Sequence, residues 1–272
     1  MRTRAMRLTA LARGTFRSTG SGFLDPVYSI PTNIDSARTM YGLRKLRAAY
    51  SGNCVNLRRE SDAAVQAFGF TAKGNLDRKA IAAWAGGSLV RVVTWYDQSG
   101  NATDLAADFA TSAPVLNLLG NGNMPAIMFD GTTNMYLGTS NIVASTLTVL
   151  ACHNVQGTSG TVWDSSNGAC RVDYVNSTTL RAVITSTQVH VTSTFGLHTT
   201  NWQWQADTIA RVTVDGGSAN NTTTSSGTVL LPHRVGGTSG DVSMVGGIME
   251  LVCIVALPTT DFNTNALAYY GQ

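Results

Sequence analysis

Trp95-Tyr96-Asp97-Gln98-Ser99-Gly100-Asn101-Ala102-Thr103-Asp104 is the stretch whose reading decides the fold. Before it, Leu89 to Tyr96 is a β-type run that is apolar on both faces apart from Arg91, the pattern of a strand buried inside a sandwich. After it come turn residues. Asp97 and Asn101 are good side-chain acceptors for turn N–H groups and would fix the exit of the strand. The same Asp97, Gln98, Asn101 and Asp104 have a functional reading, as a cradle for sugar hydroxyls or for a Ca²⁺ ion. The structural reading is the simpler of the two.

Downstream, short β-prone runs alternate with Gly, Asn, Asp and Ser clusters: 126–129, 146–152, 161–163, 170–175, 180–186, 189–195, 208–214 and 245–256. Strands at this spacing, with turn chemistry between them, predict an all-β sandwich or jelly roll. Upstream, Asp35-Ser36 reads as an N-cap followed by Met40, Leu43, Leu46 and Tyr50 at helical spacing, which predicts a short amphipathic helix stopped by Ser51-Gly52. Its Arg44, Lys45 and Arg47 read as a solvated face rather than a nucleic-acid site. Val55 to Arg59 reads as a strand. Asn75 or Asp77 caps a second helix through Ile81 and Trp84, stopped by Gly86-Gly87, and Thr260 or Asp261 caps a terminal helix through Tyr270.

Charge divides the chain. Residues 1–60 hold eleven Arg or Lys against three acids, and the remainder holds eight against thirteen, so a balance of +8 faces one of −5. Residues 1–24 form a basic extended arm and 25–272 one domain. Arg2, Arg4, Arg7, Arg13 and Arg17, spaced by small residues, are expected to dock on an acidic partner. The N-terminus lacks the apolar core of a secretory signal, though its Arg-rich, acid-free composition also fits an organellar transit peptide. No run reaches the length of a membrane span. Cys54, Cys152, Cys170 and Cys253 have no metal spacing, and nothing selects a disulfide pairing among them. His153, His190, His198 and His233 likewise lack metal-site spacing. Trp202 and Trp204 fall on one face of a period-2 run, where they are either inner-sheet core, the commoner outcome, or a platform for stacking sugars.

Several stretches together resemble the concanavalin A-like (laminin G-like) sandwich family, in the branch related to the catalytic domain of α-L-arabinofuranosidase B. They are Tyr41 to Gly52, Leu57 to Asp62, Gly69-Phe70 with Gly74 to Asp77, Trp95 to Asn101 with Asp104, and Pro125 to Gly131, with Gly246 to Leu251 and Tyr269 to Gly271 as a looser match. The resemblance implies a jelly-roll sandwich of the kind often met in bacteriophage structural proteins. It also implies a nucleophilic glutamate in the second half of the domain and an acid/base aspartate in a Gly-Gly-Asp segment. Here no glutamate lies between Glu60 and Glu250, and the terminal segment reads Gly236-Gly237-Thr238. The expectation is therefore a non-enzymatic virion structural protein without a cofactor. It would be anchored by its arm to capsid or tail proteins, displayed on the virion surface as a homo-oligomer, and able to meet host-surface glycans. A surface carbohydrate-binding module or an arabinofuranosidase-like hydrolase is the alternative.

Overall fold

The computed structural model describes residues 37–107, 109–111, 113–132, 135–137, 143–157, 159–165, 170–184, 187–206, 209–217, 220–222, 229–230, 232, 234–237, 244–255, 266 and 268–270. The arm arginines, His233, Thr238, Thr260 and Asp261 lie outside them.

The strands are β1 (Ala37–Gly42), β2 (Val55–Arg59), β3 (Val65–Phe68), β4 (Val90–Trp95), β5 (Leu105–Ala106), β6 (Val115–Asn121), β7 (Met124–Asp130), β8 (Met135–Leu137), β9 (Val143–Ala144) and β10 (Thr146–Val155). They continue as β11 (Gly160–Asp164), β12 (Cys170–Asn176), β13 (Thr179–Ile184), β14 (Thr187–Thr192), β15 (Gly196–Gln205), β16 (Ile209–Val214), β17 (Asn220–Thr222), β18 (Val229–Leu230), β19 (Arg234–Val235) and β20 (Val245–Ile254). Helix α1 spans Arg78–Ala85.

Two antiparallel sheets form the sandwich. The first runs β6-β7-β20-β10-β15-β16-β17, with β7 along the first half of one edge of β20 and β1 along the second half. The second runs β14-β13-β12-β11-β19-β8-β5-β4-β2-β3. A single bridge, Arg91 with Val115, links the two at a corner. Strand alternation sends one face of each sheet inward. The interior holds Trp95, Trp163, Trp202 and Trp204, all essentially buried, with Trp163 and Trp202 edge to face at 5.3 Å. Such ring pairs are worth about 0.5–1.5 kcal/mol beyond the area they bury.

The outer face of the first sheet is covered. Met40, Leu46, Leu150, Cys152, Met249, Val252 and Ile254 pack there against Ala266, Tyr269 and Tyr270. Residues 266 and 268–270 are helical. Tyr270 donates its hydroxyl to the Met249 carbonyl at 3.3 Å, and Asn121 donates Nδ2 to the Tyr270 carbonyl at 2.9 Å. Beneath this cover Arg44 and Glu250 form a buried ion pair, with the guanidinium carbon 4.8 Å from the centre of the Tyr269 ring.

The helix expected from Asp35 onward does not form; its first part is β1. Thr39, Met40, Tyr41 and Gly42 are all buried, so the segment pairs with β20 on an edge while packing both faces, and two-sided burial mimics a helical stripe. The second helix is α1. Asp77 accepts from Ala80 N at 3.0 Å as its cap, and Gly86 ends it in the left-handed region at φ 58°.

Candidate functional site on the outer face of the second sheet

Gln98 and Asp97, from the turn that decides the fold, are spent on the fold itself. Asp97 is 4% exposed. Its Oδ1 accepts from Met40 N at 2.8 Å and Ser99 N at 2.9 Å, while Oδ2 accepts from Ser99 Oγ and Thr103 Oγ1 at 2.7 Å each and from Thr103 N at 3.2 Å. Gln98 is fully buried, accepts from Leu46 N at 2.8 Å and donates to the carbonyls of Gly42 at 2.9 Å and Arg44 at 3.1 Å. Asp104 accepts from Asp97 N, and Asn101 donates to the Arg38 carbonyl. All four residues come together around the turn, but the carboxylate of Asp97 is taken up by protein donors. The stacking reading of Trp202 and Trp204 is corrected. Both rings lie inside the sandwich at 0% and 2% exposure, because β10 and β16 flank their strand and put even-numbered residues inward.

Glu250, one of the two glutamates in the chain, is fully buried and gives both carboxylate oxygens to Arg44. The four cysteines are all buried thiols without disulfides. Burial pushes the Cys54 and Cys253 thiols up, the latter to about 12, which leaves them inert as nucleophiles. No group of three or more potential metal ligands occurs among the described residues. No helix among them is long and apolar enough to cross a membrane.

With the first sheet covered, the outer face of the second carries the charged chemistry. Trp163, Val172, Leu180, Val189 and Val235 point inward, so their alternates Asp164, Arg171, Asp173, Arg181, His190 and Arg234 take the outer side. The register lines them up. Arg234 of β19 stands opposite Asp164 of β11, which stands opposite Arg171 of β12, and the next rung places Asp173 opposite Arg181 and Arg181 opposite His190. Asp173 accepts from Arg181 Nε at 2.9 Å and Nη2 at 2.5 Å, and from Arg171 Nε at 3.1 Å.

Asp164 is the exceptional group. It is 1% exposed, and its Oδ1 is buried without a hydrogen-bond partner among the described residues. Burial raises its pKa to about 6, with Asp173 adding to the rise, against the opposing charges of Arg171 and Arg234. A carboxyl group of this kind is half protonated near pH 6, and in that form it can give its proton to a leaving oxygen that develops negative charge. Sequence reading missed it because Arg234 is distant in the chain from Asp164 and Arg171, and the three meet only through strand register. The available signal was an acid closing an apolar run, Thr161-Val162-Trp163-Asp164.

No protein-family model matches the chain, and no curated protein matches it. Solved structures do. An arabinofuranosidase complexed with arabinofuranosyl-α-1,2-xylobiose superposes with a TM-score of 0.62 at 15% identity, over 86% of this chain and 62% of that one. A GH54 α-L-arabinofuranosidase soaked with a cyclic sulfate inhibitor gives 0.64 at 14% identity with the same coverage. This chain thus spans less than two thirds of the length of these two structures, and at this identity the likeness establishes a shared β-sandwich. The structures that match over most of the chain are arabinofuranosidases, so the expectation of a non-enzymatic virion structural protein is withdrawn.

Proposed function

We propose that the protein is a carbohydrate-active sandwich of the glycoside-hydrolase type, with Asp164 as proton donor on the outer face of the second sheet. The observation that carries this reading is a nearly buried carboxyl group, raised to about 6 and with an orphaned oxygen, set in a row of charged side chains. Glycosidic bond cleavage requires two carboxyl groups, one held protonated beside the leaving oxygen and one kept anionic. Asp173 is the anionic partner. It accepts three bonds from Arg171 and Arg181, and it lies close enough to Asp164 to act on that group electrostatically. The pair replaces the missing glutamate with two aspartates on adjacent strands. Support for a furanoside substrate comes from the arabinofuranosidases that share the fold.

The test is release of 4-nitrophenol from 4-nitrophenyl α-L-arabinofuranoside by the full chain and by Asp164→Asn. The wild type should turn over above the buffer rate, and the variant should lose at least about a hundredfold, the usual worth of a general acid. Equal rates in the two proteins would remove Asp164 from the chemistry, and a wild-type rate no higher than buffer would remove this substrate class.

A further inference from the structure

We propose that the cover on the first sheet is held by an acid-sensitive catch: protonation of His153, opposite His198, loosens the end of β10 and lifts Tyr270 from the apolar outer face. The device is independent of the chemistry on the second sheet. His153 is fully buried inside the sandwich, and neither ring nitrogen has a partner among the described residues. A neutral imidazole can stay there, whereas an imidazolium adds a charge and a second unsatisfied N–H donor. The titratable groups that face it are His198, Tyr174 and Asp215. His198 of β15 stands directly opposite, with the ring centres 6.5 Å apart. Tyr174 of β12 meets the ring edge to face at 5.9 Å and pairs its own hydroxyl with Ser193. Asp215, just past β16, is already engaged, since its carboxylate binds His198 Nδ1 at 2.6 Å and Thr199 N at 2.8 Å. On β20 the residue opposite His153 is Ile248, and Glu250 stands with Cys152 on the other side of the sheet. Burial, and then His198, hold the closed form neutral, so acid favours whichever arrangement lets the ring reach water.

This end of β10 also holds the cover. The ladder to β20 shifts register between Cys152 and His153, passing over Met249, and such a bulge interrupts the pairing. Just beyond it, Asn154 donates Nδ2 to Asn121 Oδ1 at 2.8 Å, and Asn121 in turn donates Nδ2 to the Tyr270 carbonyl at 2.9 Å. The Tyr270 hydroxyl donates to the carbonyl of the bulged Met249. Both ties of Tyr270 therefore end beside His153. Tyr269 has a tie of its own, from its hydroxyl to Asn75, so the cover lifts at the Tyr270 corner and stays anchored at the other. His198 and Asp215 keep their bond, because the β15–β16 ladder that holds them together is not broken. Their pairing adds nothing to the pH dependence of the opening. Once Tyr270 lifts, the cluster it shares with Leu150, Cys152 and Met249 meets water.

The experiment is thiol labelling of the full chain with dithiodipyridine at pH 7.5 and pH 5, with the modified sites resolved by mass spectrometry and each rate divided by that of a free cysteine peptide at the same pH. Cys152 reports the outer face, and Cys54, in the interior between the sheets, reports unfolding of the whole domain. The relative reactivity of Cys152 should rise about thirtyfold from pH 7.5 to pH 5, the linkage for a ring near 6.5 when open and held at about 3 when closed. It should stay at least about tenfold above that of Cys54 at both values, as local opening requires. His153→Phe should remove the rise. Asn121→Ala, which cuts the tie to Tyr270, should raise Cys152 reactivity at pH 7.5 while Cys54 remains protected. A Cys152 reactivity that does not change with pH overturns the proposal, as do equal rates at Cys152 and Cys54, which mark global unfolding. A rise that persists in His153→Phe, or an unchanged Cys152 in Asn121→Ala, overturns it too. The wild-type rates decide the first two outcomes whether or not a variant folds.

Discussion

Replacing Asp97 with alanine tests whether the Trp95–Asp104 turn is architecture or binding surface. The carboxylate accepts three main-chain N–H bonds, from Met40, Ser99 and Thr103, and two hydroxyl bonds, from Ser99 and Thr103. On truncation the hydroxyls can turn to other acceptors, but N–H groups cannot. Met40 is 1% exposed and Ser99 7%, so their two N–H groups lose their acceptor away from water, whereas that of Thr103 is half-buried and more easily hydrated. A buried donor left unsatisfied costs about 1–3 kcal/mol, so two together cost about 2–6 kcal/mol, and a value near 4 kcal/mol is expected. The bond to Met40 also ties the turn to β1, which makes the loss global rather than local. Guanidinium denaturation should show a lower midpoint with an unchanged slope. Sugar affinity of the folded fraction should not move. A loss below about 1 kcal/mol, or a selective loss of sugar binding at full stability, would refute this assignment.

Three other measurements probe the remaining buried groups. Glu250→Gln should cost about 3–5 kcal/mol by leaving Arg44 buried without its counter-charge, seen as a lower unfolding midpoint, while the specific activity of folded protein stays unchanged. His153 is fully buried with neither ring nitrogen partnered among the described residues, and burial, with a smaller contribution from His198, holds its pKa down at about 3. Its folded form stays neutral where the unfolded chain takes up a proton, so stability is lost as pH falls below about 6.5; at pH 5 the loss is about 2 kcal/mol. His153→Phe should shrink the drop between pH 7.5 and pH 5 by that amount in denaturant titrations. His198 acts in the opposite direction. The hydrogen bond to Asp215 raises its pKa, so its contribution is present at low pH and lost as pH rises through the folded value, and Asp215→Asn should flatten that arm of the profile.

How much of this was legible in the sequence depends on the range of the interactions. The β4 run, the turn after it and the Asp77 and Gly86 caps of α1 are local, and each was readable from neighbouring residues. β1 was misread because it pairs along its edge with β20 and packs one face against residues near the C-terminus, contacts more than two hundred positions away. The candidate site was illegible because it depends on strand register. Asp164, Arg171, Asp173, Arg181 and Arg234 become one surface only when β11, β12, β13 and β19 adopt a fixed register, and a slip of one residue would send every one of them inward. The tryptophan pair Trp202 and Trp204 was equally readable as core or as platform from period-2 spacing, which gives the face but not which side of the sheet that face meets.

The most direct measurement is the titration of Asp164 itself, followed by the carboxyl carbon signal in labelled protein and assigned by its disappearance in Asp164→Asn. The account predicts a midpoint near pH 6, set mainly by burial. A midpoint at or below the ordinary value of an aspartate, about 3.9, would mean that the group is ionised at neutral pH and cannot serve as proton donor.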